Sequence, residues 1–229
     1  MQAPLVNDDL WTRRGISLLW DADELNKLCH WIQAGTLCFI TWRVADSLPQ
    51  QVLVELDFEV ERYLRAEGIE RRDALAQCLV KRDEVARSRI HWKMFLIRDK
   101  FLDGGAGRCP LRDPSHASTI KESLLHFDEN RYFLTDLIVM PNHVHSIVAF
   151  ASEESMLKQC AEWKRYTGRK IHAAEGRNGE FWQVDQFDHL IRGELQLEYF
   201  RRYISENPKK AGLRDGEYLH WQKDLGMRS

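Results

Sequence analysis

The sequence contains no run that approaches the ~18 consecutive apolar residues of a membrane-spanning helix, which argues against a membrane protein. Its first residues, Met1 to Trp11, show no basic stretch followed by an apolar one, so we expect no secretory signal. The five cysteines are odd in number and have no CxxC spacing, a pattern typical of free thiols in a reducing compartment. Together these absences predict a cytoplasmic protein without a membrane partner.

The chain also has little net charge, −2, which argues against a protein covered with DNA-binding charge. The charge is uneven, however. Between Met156 and Arg214 there are twelve Lys and Arg against eight Asp and Glu, a local excess of +4 that leaves −6 for the remainder. This basic region has two interpretations, a localised phosphate-binding surface or a set of solvated helix faces.

At 229 residues the chain fits one domain, or one domain with a helical insertion. Gly35 to Val44 is rich in β-branched and aromatic residues and predicts a strand. Residues 51–98 have apolar residues at helical spacing and predict two or three helices, as an insertion or an outer layer. Phe101 to Pro114 is predicted to be a loop, and His116 to Asp128 an amphipathic helix.

The second half of the chain predicts two more strands and two more helices. The strands are Arg131 to Met140 and His143 to Phe150, the helices are Glu153 to Ala174 and Leu195 to Asn207, and the segment Trp182 to Arg192 is extended or irregular. We expect the last helix to end at Pro208. This order favours an α+β fold: a ferredoxin-like antiparallel sheet with helices packed on one face, forming a single domain over 1–229, with residues 50–98 as a helical insertion.

His143-Val144-His145 lies on a predicted strand, where a period of two places both imidazoles on one face. Two imidazoles about 6 to 7 Å apart along a strand can converge on one ion. An HxH pair also arises by chance in a chain with nine histidines, so the signal is weak by itself.

A possible nucleophile and third ligand share one face of the last predicted helix. Tyr203 and Asn207 are four residues apart, so both reach the metal if this helix packs over the two histidines. Two imidazoles and an amide oxygen suit Mg²⁺ or Mn²⁺ bound with substrate phosphate, whereas zinc is disfavoured because amide oxygen is a poor zinc ligand. Tyr203 would then attack the phosphate and form a covalent phosphotyrosine.

Each of these assignments has an alternative. Tyr199, one turn before Tyr203, and Tyr166, in a basic helix, are rival nucleophiles. Asn207 also fits a helix C-cap ahead of Pro208.

Four segments resemble the REP-associated tyrosine transposases, relatives of the single-tyrosine HUH transposases of small bacterial insertion sequences. The segments are MPNHVH (Met140 to His145), FWQ (Phe181 to Gln183), DHLIR (Asp188 to Arg192) and YISENPKKAGL (Tyr203 to Leu213). The stretches LDGGAGRCPL and HFDENRYFLTDLIVMPNHVH are similar to one subgroup of that family. The resemblance covers Thr36 to Arg43 and Phe101 to Leu213, and 51–93 matches nothing specific. Lys209 departs from the apolar residue usual after Asn-Pro.

The resemblance implies an HUH endonuclease in which His143 and His145 bind the metal, Asn207 completes the site and Tyr203 is the nucleophile. It further implies a metal-dependent endonuclease and transposase that cleaves and joins single-stranded DNA through a 5′-phosphotyrosine, acting in DNA transposition and recombination. The substrate would be hairpin-forming repetitive extragenic (REP) DNA. We expect a monomer or homodimer, bacterial and cytoplasmic, and associated with the nucleoid when bound to DNA.

Basic residues of the C-terminal third are candidates for phosphate contact, although each alone also fits a solvated charge. Trp182 fits a base-stacking platform and the core equally well. The basic candidates are Lys164, Arg165, Arg169, Lys170, Arg192, Arg201, Arg202, Lys209 and Lys210.

Two other functions remain open. A non-cleaving, domesticated protein would bind hairpin DNA regardless of Tyr203 or chelator. An unrelated metallohydrolase would use water as the nucleophile and turn over without a protein-bound intermediate.

Overall fold

The computed structural model describes residues 37–70, 75–191 and 193–225, so Gly35 and Thr36 of the predicted first strand lie outside it. Five strands in this part of the chain form one sheet in the order β4-β1-β3-β2-β5, with every neighbouring pair antiparallel. The strands are β1 (Leu37–Arg43), β2 (Tyr132–Val139), β3 (His143–Phe150), β4 (Phe187–Leu190) and β5 (Leu219–Gln222).

Strands β1 and β2 are consecutive in the chain but are not neighbours in the sheet, because β3 lies between them. This split arrangement, followed by a helix and an edge strand, is the ferredoxin-like pattern. The predicted α+β class with an antiparallel sheet is therefore confirmed.

Some of the described helices lie between β1 and β2 in the chain, and the others follow β3. None of those described is long and apolar enough to cross a membrane. The helices are α1 (Gln50–Ala66), α2 (Leu75–Val80), α3 (Glu84–Asp103), α4 (Pro114–Leu125), α5 (Glu153–Glu175) and α6 (Glu194–Lys210).

Helices cover both faces of the sheet, so the prediction of helices on one face was wrong. Helices α4 and α5 pack on the face that carries Trp42, Val144 and Val148. Helices α3 and α6 pack on the opposite face, which carries Phe39 and Ile147. The reason is visible in β3, which is buried along nearly its whole length and therefore has no face left for solvent.

The predicted loop from Phe101 to Pro114 was wrong at its start, because α3 continues to Asp103. The chain then turns through glycines and a short 3-10 helix, Pro110–Arg112. A Cβ at Gly107 would lie 2.3 Å from the carbonyl oxygen of Ser47, so only glycine allows this turn to pack against the exit of β1. That contact fixes the C-terminal end of α3 against the sheet.

The prediction that the last helix ends at Pro208 was also wrong, because α6 runs to Lys210 with Pro208 inside it. A proline in the last turn removes only one backbone hydrogen bond, and the helix is instead ended by Gly212. Gly212 has a φ of 68°, and the amide of Leu213 donates to the carbonyl of Pro208 at 2.9 Å. This is the Schellman arrangement of a helix end. Asn207 is thus inside the helix and is not its C-cap.

The segment from α1 to α3 has an apolar cluster of its own, built around Leu56, Leu64 and Ile90. Helix α3 belongs to this cluster and also, through Trp92 and Phe95, to the core over the sheet. The division of the chain into one domain with an insertion at 50–98 stays a prediction, but the last helix of the segment extends beyond residue 98 and reaches the site described below.

Candidate active site

The two histidines of β3 point to the sheet face that α3 and α6 cover. His143 and His145 are both fully buried, and their Nε2 atoms lie 3.0 Å apart. The antiparallel register pairs His145 with Thr41 of β1, and the ring of His145 stacks on Phe39. Because side chains alternate along β3, His143 and His145 lie on the same face and their Nε2 atoms come together.

The outer nitrogens of both rings are held by neighbouring side chains. Nδ1 of His143 lies 2.7 Å from Oδ1 of Asn142, and Nδ1 of His145 lies 2.7 Å from Oγ1 of Thr41. Because an amide oxygen only accepts, His143 carries its proton on Nδ1 and presents a lone pair at Nε2. Burial lowers the pKa of each imidazole to about 3, so both are neutral. Outer-ring hydrogen bonds of this kind are characteristic of metal-binding histidines.

Helix α3 contributes two carboxylates that the sequence analysis missed. Oδ1 of Asp99 lies 3.4 Å from Nε2 of His145 and 3.9 Å from Nε2 of His143. One turn later, Oδ1 of Asp103 lies 3.9 Å from Nε2 of His143. Burial raises the pKa of Asp99, and burial followed by the Asp99 charge raises the pKa of Asp103 to about 8.

A signal for these acids was present in the sequence. The C-terminal end of a helix favours cations, because its free carbonyls carry partial negative charge. Asp99 and Asp103 lie near or at such an end, where acids are unfavourable without a local reason. The signal was lost because the predicted helices stopped at residue 98.

Helix α6 brings its tyrosine and asparagine to the same point. The phenol of Tyr203 donates a hydrogen bond to Oδ2 of Asp99. Nδ2 of Asn207 lies 3.3 Å from Nε2 of His145 and 3.4 Å from Oδ2 of Asp99. Burial, and then the Asp99 carboxyl, raise the pKa of Tyr203 well above its ordinary value. The phenol is therefore protonated and needs a proton acceptor before it can attack.

The site can hold a metal ion. Asp99, His143 and His145 each offer a ligand atom within 4.8 Å of the other two. Oδ1 of Asp99 and Oδ1 of Asn207 are buried and have no hydrogen-bond donor among the described residues. Cis ligands of an octahedral ion with bonds of 2.0–2.1 Å are about 2.9 Å apart, close to the separation of the two Nε2 atoms. Two imidazole lone pairs and the unpartnered Oδ1 of Asp99 converge, and a cation would satisfy all three, whereas Asn207 faces His145 with its amide nitrogen.

The site is closed on most sides. Tyr203 is only 7% exposed, and Asn207 is fully buried. The side chain of Lys210, by contrast, is 45% exposed, and its Nζ lies 4.8 Å from the centre of the Tyr203 ring. Nζ of Lys210 also forms an ion pair with Glu206 at 3.6 Å, so the exposed side of Tyr203 carries this pair of opposite charges.

The rival tyrosines lie elsewhere. Tyr199 is half-buried and packs its ring against Trp92, with its centre 6.5 Å from that of Tyr203. Tyr166 is exposed on α5, across the sheet from the histidines. Among the described tyrosines, Tyr203 is the one whose hydroxyl contacts the Asp99 carboxylate at the histidine pair.

The proposed DNA-contact residues fall into four groups, of which the first two are exposed. Arg165, Arg169 and Lys170 are exposed on α5, and Arg202 and Lys209 are exposed on α6 beside Lys210. Arg192 lies outside the described residues.

Besides Lys210, which pairs with Glu206, three of the proposed contact residues have structural partners. Lys164 lies close to three backbone carbonyls of residues 183–185, the nearest at 2.8 Å. Arg201 pairs with the buried Asp136 at 3.1 Å. Trp182 is buried, and its indole donates to Thr167 at 2.9 Å. Its alternative interpretation as a core residue therefore agrees with the structure.

A scan against protein-family models and a search of curated proteins returned no match. A search of solved structures found similarity to a REP-associated tyrosine transposase bound to a REP hairpin. The identity is 12%, the TM-score is 0.41, and the alignment covers 82% of this chain and 75% of the other. At this level of similarity the match bears on neither the activity nor the site residues of this chain.

Proposed function

We propose that this protein is a metal-dependent endonuclease and transposase that cuts and rejoins single-stranded DNA, with Tyr203 as the nucleophile and hairpin-forming, REP-like DNA as the substrate. The observation that carries the proposal is one shared carboxylate. Oδ2 of Asp99 accepts the hydrogen bond of the Tyr203 phenol, and Oδ1 faces the imidazole pair 3.4 Å from His145. Nucleophile, proton acceptor and metal ligands are thus contiguous.

His143, His145, Asp99 and Asn207 would hold the metal ion. When bound, a divalent cation supplies Lewis-acid polarisation of the scissile phosphate. We expect Mg²⁺ or Mn²⁺, which accept oxygen ligands and bind together with phosphate. The sequence argument against zinc rested on the lack of a nearby thiolate and on an amide oxygen as third ligand. The carboxylate of Asp99 also suits zinc, so the second part of that argument is weaker with Asp99 in the set.

The protein's own residues would move the proton. The phenol oxygen of Tyr203 forms a bond to phosphorus while the bond from phosphorus to the 3′ oxygen breaks, which leaves a 5′-phosphotyrosine and a 3′ hydroxyl. The phenol proton passes to Oδ2 of Asp99, and the departing 3′ oxygen, on the opposite side of phosphorus, takes a proton from solvent, so the step is balanced. Lys210, on the open side, would attract the phosphate. The reverse sequence joins a strand, because the phosphotyrosine ester conserves the free energy of the broken phosphodiester bond.

The test is an adduct assay on a denaturing gel. Labelled hairpin DNA with a single-stranded extension, taken from DNA that flanks the gene, is incubated with the protein and Mn²⁺, Mg²⁺ or Zn²⁺. We expect a covalent protein–DNA adduct that Tyr203→Phe abolishes. Tyr199→Phe is the matched control, because it removes a neighbouring phenol from the same helix face, and it should retain the adduct.

One observation favours the second candidate, a non-cleaving hairpin-binding protein. Tyr203 is 7% exposed and its hydroxyl is already engaged. That protein would bind hairpins equally with Tyr203→Phe and with chelator, and would form no adduct with any metal. Cleavage that persists in Tyr203→Phe would instead indicate water as the nucleophile.

A further inference from the structure

A groove of about 900 Å³ runs between α1 and α3, and the candidate active site does not use it. Two partly buried residues of α3, Ile97 and Phe101, give it an apolar lining. Val54 and Phe58 line it from α1, where they are one turn apart and 61% and 63% exposed. Single exposed apolar residues are normal on a soluble protein, whereas an adjacent pair on an apolar groove indicates a surface that another molecule covers.

Charged side chains flank this apolar surface, and three of them have no partner. Glu55 of α1 and Lys93 and Lys100 of α3 line the groove and are exposed. None of the three forms an ion pair with a described residue, whereas Glu59 of the same groove pairs with Arg62 at 2.5 Å. The unpaired acid is therefore on α1 and the unpaired bases are on α3, so the two walls of the groove carry opposite charges.

The two helices run antiparallel, which sets the levels of these charges. Glu67, just after α1, pairs with Arg89 near the start of α3 at 3.1 Å, and the chain just before α1 contacts Gly107, after α3. Counted along both helices from that ion pair, at the same rise per residue, Glu55 is level with Lys100. The two residues line the groove from opposite walls and form no ion pair within the chain.

A second copy of this chain supplies the complement of the groove. When a twofold axis runs parallel to the groove, α1 of each copy lies on α3 of the other, and the four helices form a bundle. Glu55 of one copy is then level with Lys100 of the partner subunit, and this pair occurs twice because a twofold interface is isologous. Val54 and Phe58 enter the partner's groove, so the same contact buries the exposed apolar pair.

The size of this face fits a dimer that forms reversibly. Helix α1 has 17 residues. It is therefore about 25 Å long, and two adjacent helices are about 20 Å wide. The face covers about 500 Å² in flat projection, so two copies remove at least about 1,000 Å² from solvent, which is the lower limit for a specific interface. We therefore expect a Kd in the micromolar range.

Nucleic acid does not fit this groove as a ligand. From Glu55 to Glu61, α1 carries four acids and no base. A phosphate backbone would be repelled by this row of acids, because proteins bind it through basic residues. Apolar side chains with matched charges around them are instead typical of contacts between proteins.

We propose that the groove between α1 and α3 is a homodimer interface, in which two copies of this chain form a four-helix bundle. The inference goes beyond the proposed function and depends on neither DNA nor metal. It bears on the candidate active site through α3. Asp99 precedes Lys100 in the chain and faces the imidazole of His145. The partner would therefore contact the helix that carries a proposed metal ligand.

The test begins with the oligomeric state of the full chain, measured by sedimentation equilibrium at concentrations below and above the expected Kd. We expect a monomer–dimer equilibrium. Phe58→Asp should weaken dimerisation by about tenfold or more, because the dimer would bury the new charge against apolar residues. Leu195→Asp is the matched control, since Leu195 is 68% exposed on α6 and does not line the groove. It should leave the equilibrium unchanged.

Two charge reversals test the arrangement of the helices. Glu55→Lys alone, or Lys100→Glu alone, makes both copies of the proposed pair repulsive, so each homodimer should weaken by about tenfold. In an equal mixture of the two variants, both pairs become attractive again. A heterodimer should then form with an affinity within about threefold of that of the wild-type dimer. Its formation also shows that both variants are folded.

Three outcomes would overturn the proposal. The first is a wild-type chain that stays monomeric at every concentration, which would mean that something else covers the groove. The second is a dimer that persists in Phe58→Asp, when circular dichroism shows that this variant keeps the helical content of the wild type. The third is a mixture of the charge variants that forms no heterodimer. None of these measurements uses DNA or metal, so failure of the interface is distinguishable from failure of the cutting proposal.

Discussion

Asp99→Asn provides the sharpest test of the site. The substitution keeps an oxygen that can accept the hydrogen bond of Tyr203 but removes the negative charge. Asp99 is buried beside two neutral imidazoles, and among the described residues no Lys or Arg lies within ion-pair distance of it. Because an unpaired buried charge is costly, we expect the metal-free variant to be at least as stable as the wild-type protein.

When Mn²⁺ is present, the wild-type protein should be more stable than Asp99→Asn. A ligand at 100 times its Kd stabilises a folded protein by about 2.7 kcal/mol, which corresponds to about 5–10 °C in Tm for a chain of this size. Loss of one anionic ligand should weaken metal binding about 100-fold. The same Mn²⁺ concentration then contributes about 0.4 kcal/mol, or about 1–2 °C.

The assay is a pair of thermal melts per variant, in chelator and in Mn²⁺. Asp103→Asn is the comparison, since it changes the same chemical group one turn along α3, outside the Asp99, His143 and His145 group. It should keep most of the wild-type shift. If Asp99→Asn responds to Mn²⁺ as fully as the wild type, Asp99 is not a ligand. If metal-free Asp99→Asn is clearly less stable than the wild type, the negative charge of Asp99 is stabilised by its surroundings, which contradicts the argument that it is unpaired and costly.

Three further substitutions test the surroundings of the site. Asn142→Leu removes the acceptor that orients His143; Mn²⁺ affinity by calorimetry should fall about 10–100-fold, and an unchanged affinity would exclude this positioning role. Trp182→Phe should lower the free energy of unfolding in urea by about 1 kcal/mol through the lost hydrogen bond and leave single-strand binding unchanged; a selective loss of binding would restore the stacking interpretation. Arg201→Met leaves the carboxylate of Asp136 buried and unpaired and should cost about 3–5 kcal/mol in urea denaturation, whereas a small cost with weaker DNA binding would indicate a phosphate contact.

The sequence predicted best those elements whose signals are local. Strand β3 begins and ends at the predicted residues, and α5 differs from its prediction by one residue. Helix α5 begins at a capping box formed by Ser152 and Ser155 and ends before Gly176, whose φ of 64° is left-handed. Both signals can be recognised within a few residues of the boundary.

The errors arose where the answer depended on distant parts of the chain. The prediction placed the end of α6 too early because it relied on Pro208, whereas the residue that ends the helix is Gly212. The uniform burial of β3 shows that helices cover both faces of the sheet, whereas the order of strands and helices suggested helices on one face. Asp99 and Asp103 were missed because they lie about forty residues before His143 in sequence. The glycine-rich stretch that follows them also led us to predict a helix that stopped too early.

The helical segment between β1 and β2 is consequently part of the site. A carboxylate has two oxygens, and those of Asp99 face different partners: Oδ2 holds the phenol of Tyr203, and Oδ1 faces the imidazoles. Any movement of α3 therefore changes the surroundings of the proposed nucleophile and of the proposed metal ligands together. Asn142 strengthens this link, since its amide donates to the carbonyl of Leu102 on α3 at 3.0 Å while its oxygen orients His143. If a substrate displaces α3 to reach the buried phenol, it would also disturb the proposed ligand set, so we expect the position of α3 to affect access to Tyr203 and metal binding together.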